Sequence, residues 1–246
     1  MADIFTNEFW AQYGPLLLTE TWKTLIMLGV STLFAYVIGL PLGVLLVLTN
    51  DHGIRPHKTF NSVLGWIINV GRSLPFMILM VSIVDFTKFI VGTFVGVRGA
   101  IVPLVVSAAP FIARMVESSL AEVDGGVVEA AQSMGASPFQ IVRKVYLPEA
   151  IPSLVLGASI SIITILAYVA IAGAVGAGGL GDLALRYGYQ RKVKSVNLVT
   201  IILLIVLVQI VQSVFSRLST SIDKRLSHEK GKKKLNLFSH SSKQEV

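Results

Sequence analysis

The sequence predicts an all-α, polytopic membrane protein: five transmembrane helices and one long polar loop carrying a helical hairpin. Three observations predict it. Hydrophobic residues make up 53% of the chain and charged residues only 14%, where soluble domains carry roughly 25% charged. Five runs almost free of charge approach or exceed the roughly 20 residues that cross about 30 Å of hydrocarbon. There is no cysteine among the 246 residues, which removes disulfides and thiolate metal sites. The four histidines, His52, His57, His228 and His240, lie in hydrophilic segments and predict no metal site.

The elements follow in chain order. No basic segment followed by an apolar core and a cleavage site opens the chain, so the first apolar stretch is expected to be retained. Residues 3–20 predict an interfacial, amphipathic lead-in. Span one is 24–50, anchored by Trp22 and Lys23 at an interface. Gly39-Leu40-Pro41-Leu42-Gly43 predicts a kink within it. Span two is 67–84, interrupted by Arg72. A charge at mid-membrane costs at least about 2.5 kcal/mol, so Arg72 is expected near a helix end, snorkelling to the headgroups. Span three is 99–113, with 95–98 and Met115 available to lengthen it. Span four is 150–181, a helix with a glycine-rich exit. Span five is 195–216. The membrane-spanning body thus covers 1–216, and 217–246 is expected to be a basic, disordered tail, with Lys230 to Lys234 as its most charged part.

The formal net charge of +7 raises nucleic-acid binding as a possibility, but eight of the 21 Lys and Arg follow Phe215. Such a tail suits an anionic membrane surface, not an ordered nucleic-acid-binding face. Odd span number places the termini on opposite sides. Arg55, Lys58, Arg114, Arg143, Lys144 and the tail outnumber the basic residues of the other side, which puts the C-terminus in the cytoplasm and the N-terminus outside. The tail decides that comparison. No internal repeat is visible, whereas secondary transporters commonly show one; a complete pathway is expected to need two copies or a related second chain.

Between spans three and four lies the polar loop, 117–149. It holds Glu117, Glu122, Asp124, Glu129 and Glu149. One short helix is predicted over 127–134, stopping at Gly135, where a left-handed residue is easy. A second opens at Ser137-Pro138-Phe139-Gln140, with Ser137 as cap, Pro138 in the first helical position and Gln140 closing a capping box. It is expected to end before Pro148. Phe139, Val142 and Tyr146 predict one apolar face. By pattern alone this hairpin is either a knob for helix-in-groove docking or an ordinary cytoplasmic loop.

Glu129-Ala130-Ala131-Gln132-Ser133-Met134-Gly135, followed by Ile141 and by Val145-Tyr146-Leu147-Pro148, resembles the EAA signature of ABC importer permeases. Gly135 stands at the required distance from Ala131, and Val145 replaces an Ile. In that family the segment is the coupling helix, which docks on the ATPase subunit. The resemblance therefore implies an ATPase-coupling role for Glu129, Ala130, Ala131, Gly135, Leu147 and Pro148, and a cytoplasmic loop. Further stretches resemble the methionine-importer permeases: Leu40-Pro41-Leu42-Gly43, Gly71-Arg72-Ser73-Leu74-Pro75-Phe76, Ala108-Ala109-Pro110-Phe111, Gly173-Ala174-Val175-Gly176 through Gly181, and Tyr187-Gly188-Tyr189-Gln190-Arg191. Asp85 to Lys88 and Tyr168 to Gly173 depart from that subfamily. The resemblance covers roughly 20–215. It implies five spans per subunit, a homodimer in a bacterial inner membrane, a pair of cytoplasmic ATP-binding subunits and an extracytoplasmic solute-binding protein. The solute is then methionine or a related amino acid. ATP and Mg would be held by the partner ATPase, with no cofactor in this chain.

Other motifs carry two readings each. Gly173 to Gly181 lacks the following Lys-Ser or Lys-Thr of a phosphate loop; it reads as close helix packing or as a gate. Arg72, Ser73 and Pro75 read as a kinked, snorkelling helix end or as a gate. Pro110 reads as packing or as solute contact, and Tyr168 with Gly173 falls near the expected pathway. Glu129 is a helix-start carboxylate favoured by the dipole, or a docking residue. No catalytic residues are predicted. The competing classes are a permease for another small solute, an ATP-independent transporter or channel, and a membrane anchor without transport.

Overall fold

The computed structural model describes residues 6–222. They are helical throughout, with no strand among them. Helix α1 (Asn7–Thr49) is capped by Thr6, whose Oγ1 accepts from the Phe9 N–H at 3.4 Å. Its 43 residues rise about 65 Å, more than twice a hydrocarbon core. The expected lead-in and first span are therefore one continuous helix, which carries Pro15 and Pro41 inside it.

Helix α1 packs along α5 (Gly96–Ala121), and small residues set the spacing. A Cβ on Gly39 would lie 2.8 Å from the Ala109 carbonyl oxygen, and one on Gly43 2.5 Å from that of Ala113. Gly39 and Gly43, four apart, oppose Ala109 and Ala113, also four apart. This is the small-residue packing that lets membrane helices approach closely. Ala35, Leu104, Ala108, Ile112, Ile165 and Val169 fill the core around this seam.

The second span is broken. Helices α2 (Lys58–Ser73) and α3 (Phe76–Ser82) meet at 100°. Leu74 is extended (φ −80°, ψ 123°) because Pro75 follows it, and Pro75 has no N–H to continue the ladder. Arg72 does fall in the last turn of its helix. The short α4 (Val84–Val91) ends on Gly92 at φ 77°.

After the loop helix α6 (Gly125–Ser133), a single rod runs from Pro138 to Gly173. It comprises α7 (Pro138–Ile141), a wide π turn (Val142–Tyr146) and α8 (Leu147–Gly173). Beyond a glycine turn come α9 (Gly179–Leu183), a second π segment (Ala184–Gln190) and α10 (Lys194–Ile222). The helix of the fourth span ends at Gly173 and the expected glycine-rich exit follows it. The fifth continues to Ile222, past the expected tail boundary at 216; 223–246 lie outside the described residues. Among the described residues four helices are long and apolar enough to cross a membrane, and the count is five if the bent α2–α3 pair is one broken span.

Candidate functional site

The loop hairpin is built by local capping. Asp124 caps α6, its Oδ1 accepting from the Gly126 N–H at 2.7 Å. Helix α6 ends in a Schellman turn: the Ala136 N–H donates to the Ala131 carbonyl at 3.1 Å, with Gly135 at φ 78° between them. Space around Gly135 is open, so only its backbone conformation demands glycine. Ser137 and Gln140 then form the reciprocal capping box, at 2.8 and 3.4 Å.

Two expectations for this hairpin are corrected. The second helix does not end before Pro148. The π turn just upstream, closed by the Leu147 N–H donating to the Val142 carbonyl, widens the helix where the Pro148 ring would otherwise meet a carbonyl, and the rod continues. Phe139 also does not share a face with Tyr146. Phe139 is 72% exposed and Tyr146 8%, because the wide turn between them breaks the 3.6-residue phase.

One side of the hairpin is anchored and the other bare. Val128, Ala131, Ile141 and Tyr146 are buried in the main core. Glu129, Ala130, Gly135 and Pro148 are exposed and Leu147 half-buried. Three large apolar side chains stand out beside them: Met134 (81% exposed), Val127 and Phe139. Of the six residues expected to couple, Ala131 alone is buried, packed in the core beneath α6.

The residues expected near a pathway separate into packed and open groups. Gly173 is buried, and a Cβ there would strike the Asp182 N–H; Gly181 likewise faces the Ala170 carbonyl. That pair is a backbone-to-backbone contact between α8 and α9. Pro110 meets Gly71, where a Cβ would lie 2.9 Å from the Pro110 Cγ. Tyr168 is half-buried and stacks on Phe76, with ring centroids 4.9 Å apart and planes 9° from parallel. Arg72, Ser73 and Pro75 are exposed at the α2–α3 bend, and Ser73 Oγ donates to the Asn69 carbonyl at 2.8 Å. Among the described residues no cluster of His, Asp and Glu could hold a metal.

Residues 37–228 match the family described as "Binding-protein-dependent transport system inner membrane component". The chain belongs to that family. Among curated relatives, it is 49% identical over 184 residues to the probable D-methionine transport system permease protein MetI of Vibrio cholerae, covering 75% of this chain and 82% of the relative. It is 52% identical over 153 residues to the D-methionine transport system permease protein MetI of Escherichia coli K12, covering 62% and 70%. Among solved structures, an inward-facing conformation of the MetNI methionine ABC transporter superposes with a TM-score of 0.85 at 45% identity, over 89% of this chain and 99% of that one. An amino acid ABC transporter with histidines shares the fold, at 19% identity and a TM-score of 0.68 over 87% and 96%.

For this binding-protein-dependent inner-membrane component, sequence reasoning missed one constellation. Glu20 is 2% exposed. Its Oε2 accepts from the Gly179 N–H at 2.7 Å, and its Oε1 accepts from Lys23 Nζ at 2.8 Å. One turn on, Thr24 Oγ1 accepts from the Leu180 N–H at 2.9 Å. Helix α1 thus caps α9, whose glycine turn puts Gly178 and Gly179 at φ 79° and 83°. The available signal was a single carboxylate in an apolar run, four residues before Thr24. Arg114 was missed too: it donates to Glu117 at 2.6 Å, and to the Gly65 carbonyl and Asn69 Oδ1, both at 3.0 Å, tying α5 to α2.

Proposed function

We propose that this chain is the membrane-spanning permease subunit of an ATP-driven importer for methionine or a related amino acid. Two copies enclose the path in a bacterial inner membrane, with N-termini outside and C-termini in the cytoplasm. A pair of separate ATPase subunits binds ATP and Mg and docks on the two hairpins. A solute-binding protein delivers from the opposite face. The observation that carries the reading is the hairpin, pinned to the core through Val128, Ala131 and Ile141 while Met134, Phe139 and Glu129 are left bare. An apolar, rigidly mounted helix end outside the membrane suits a groove on a soluble partner. The relatives' names support methionine as the solute.

The rod from Pro138 to Gly173 supplies the mechanics. Its 36 residues span about 54 Å, with the hairpin at one end and the Tyr168–Phe76 stack and the Gly173–Asp182 contact near the other. When the ATPase pair closes, the two hairpins are drawn together. Each rod then tilts as a body against α1 and α5, and the far ends open or close the path. This is rigid-body switching at a bistable interface. Co-purification of the tagged chain with its ATPase tests the docking step: a stable complex is expected, and a chain that retains no ATPase refutes the reading.

A further inference from the structure

A groove of about 450 Å³ runs along one face of α5, lined by Arg72, Phe111, Arg114, Met115, Glu117 and Ser118, and reaches Ala121 at the helix end. Its upper end lies at the α2–α3 bend, between the two halves of the broken second span. Arg72 is one residue from the end of a 16-residue helix that rises about 24 Å. The neighbouring Gly71 abuts Pro110, near the middle of α5.

The charges in this groove are unequal. Arg114 is satisfied by Glu117, Gly65 and Asn69. Arg72 is exposed and takes no part in any ion pair among the described residues. An unpaired guanidinium inside a membrane-crossing helix pair is costly against lipid tails, which favours its facing a water-filled cavity or the interior of an assembly. Guanidinium is also the side chain best shaped for a carboxylate, which it can grip with two parallel N–H donors. Below it, Phe111 and Met115 provide an apolar wall, and a thioether against an aromatic edge is a favourable contact.

We propose that this groove is a transit site for the zwitterionic solute, with Arg72 receiving its α-carboxylate while Phe111 and Met115 accept its apolar side chain. The proposal rests on the amino-acid permease reading and adds the chemistry by which the path recognises its cargo. Arg72 holds the carboxylate at the α2–α3 bend, and the groove conducts the released solute along α5 to the Ala121 end.

The test uses the complete importer in proteoliposomes, with permease, ATPase and binding protein, and reads methionine taken up per ATP hydrolysed. A wild-type importer that moves no methionine overturns the function reading, whatever the variants do. With a working wild type, Arg72→Gln is expected to lower the ratio at least tenfold while binding-protein-stimulated hydrolysis persists, and Arg72→Lys is expected to lower it less. A ratio unchanged in Arg72→Gln, or reduced equally in both variants, overturns the carboxylate contact in favour of a snorkelling or bend-forming arginine. Arg72→His covers the case in which Arg72→Gln does not assemble. Its imidazole is cationic below its ordinary pKa of about 6.5, so its ratio, normalised to wild type at each pH, is expected to rise several-fold from pH 8 to pH 6. Arg114 and Glu117, the other charged groups on the groove, are present in both proteins and cancel in that normalisation. A flat normalised profile overturns the proposal.

Discussion

The Glu20 carboxylate and the Gly179 N–H, 159 residues apart in the chain, are joined by a buried hydrogen bond of 2.7 Å. It fastens the glycine turn after α8 to the N-terminal half of α1. The far end of the rod is thereby held by one buried carboxylate, backed by Thr24 on the next amide.

Removing that acceptor leaves a buried N–H unsatisfied, which costs about 1–3 kcal/mol. Glu20→Ala is expected to lower the melting temperature of the detergent-solubilised protein, and Glu20→Gln, which keeps an acceptor oxygen, to lower it less. Equal melting of Glu20→Ala and wild type would show that the contact contributes nothing.

The α1–α5 seam makes a paired prediction. Gly43→Ala puts a Cβ 2.5 Å from the Ala113 carbonyl oxygen, whereas Gly29 has nothing within 4 Å. Gly43→Ala is expected to destabilise by more than about 1 kcal/mol. Gly29→Ala is expected to be neutral or to stabilise by about 0.5–1 kcal/mol, as helix propensity alone would give. Thermal melts of the two variants check this, and similar shifts in both would contradict the packing account.

Gly135 is predicted to matter through its backbone. At φ 78° a β-branched residue carries a left-handed penalty of about 1–2 kcal/mol, enough to reshape the turn without disturbing membrane insertion. Gly135→Val is expected to insert normally and to uncouple ATP hydrolysis from uptake. Normal uptake per ATP in this variant would count against the hairpin as the coupling element.

The bare apolar residues of the hairpin have no role in the subunit's own core. Met134→Asp and Phe139→Asp are expected to leave the melting temperature of the isolated permease within about 0.5 kcal/mol equivalent and to weaken ATPase binding at least tenfold. Titration of the ATPase against the immobilised permease measures this. Unchanged affinity would place the docking surface elsewhere.

The sequence showed the long apolar helices and where the loop caps lie, because both are local. Ser137, Gln140 and Gly135 act on neighbours within a few residues, and the structure has them as expected. What stayed hidden depends on partners far away in the chain. Pro148 reads as a helix stop unless the π turn before it is known. Phe139 reads as sharing one apolar face with Tyr146 until that same turn takes the two out of phase. Pro75 signalled a kink, but not the 100° bend between α2 and α3. Glu20 sat in a segment that read as an interfacial lead-in, since nothing nearby marks Gly179 as its partner. The glycine stretch kept its two readings until the Gly173–Asp182 and Gly181–Ala170 contacts showed backbones meeting at those two positions.

If this chain is the permease of an ATP-driven importer, amino-acid uptake depends on ATP bound by a separate subunit. The most direct measurement is radiolabelled methionine uptake into proteoliposomes holding the permease, its ATPase and its binding protein, with and without ATP. Uptake that needs ATP and all three components, and is competed by unlabelled methionine, is the predicted result. Uptake by the permease alone, indifferent to ATP, would contradict the account and make the chain an ATP-independent transporter.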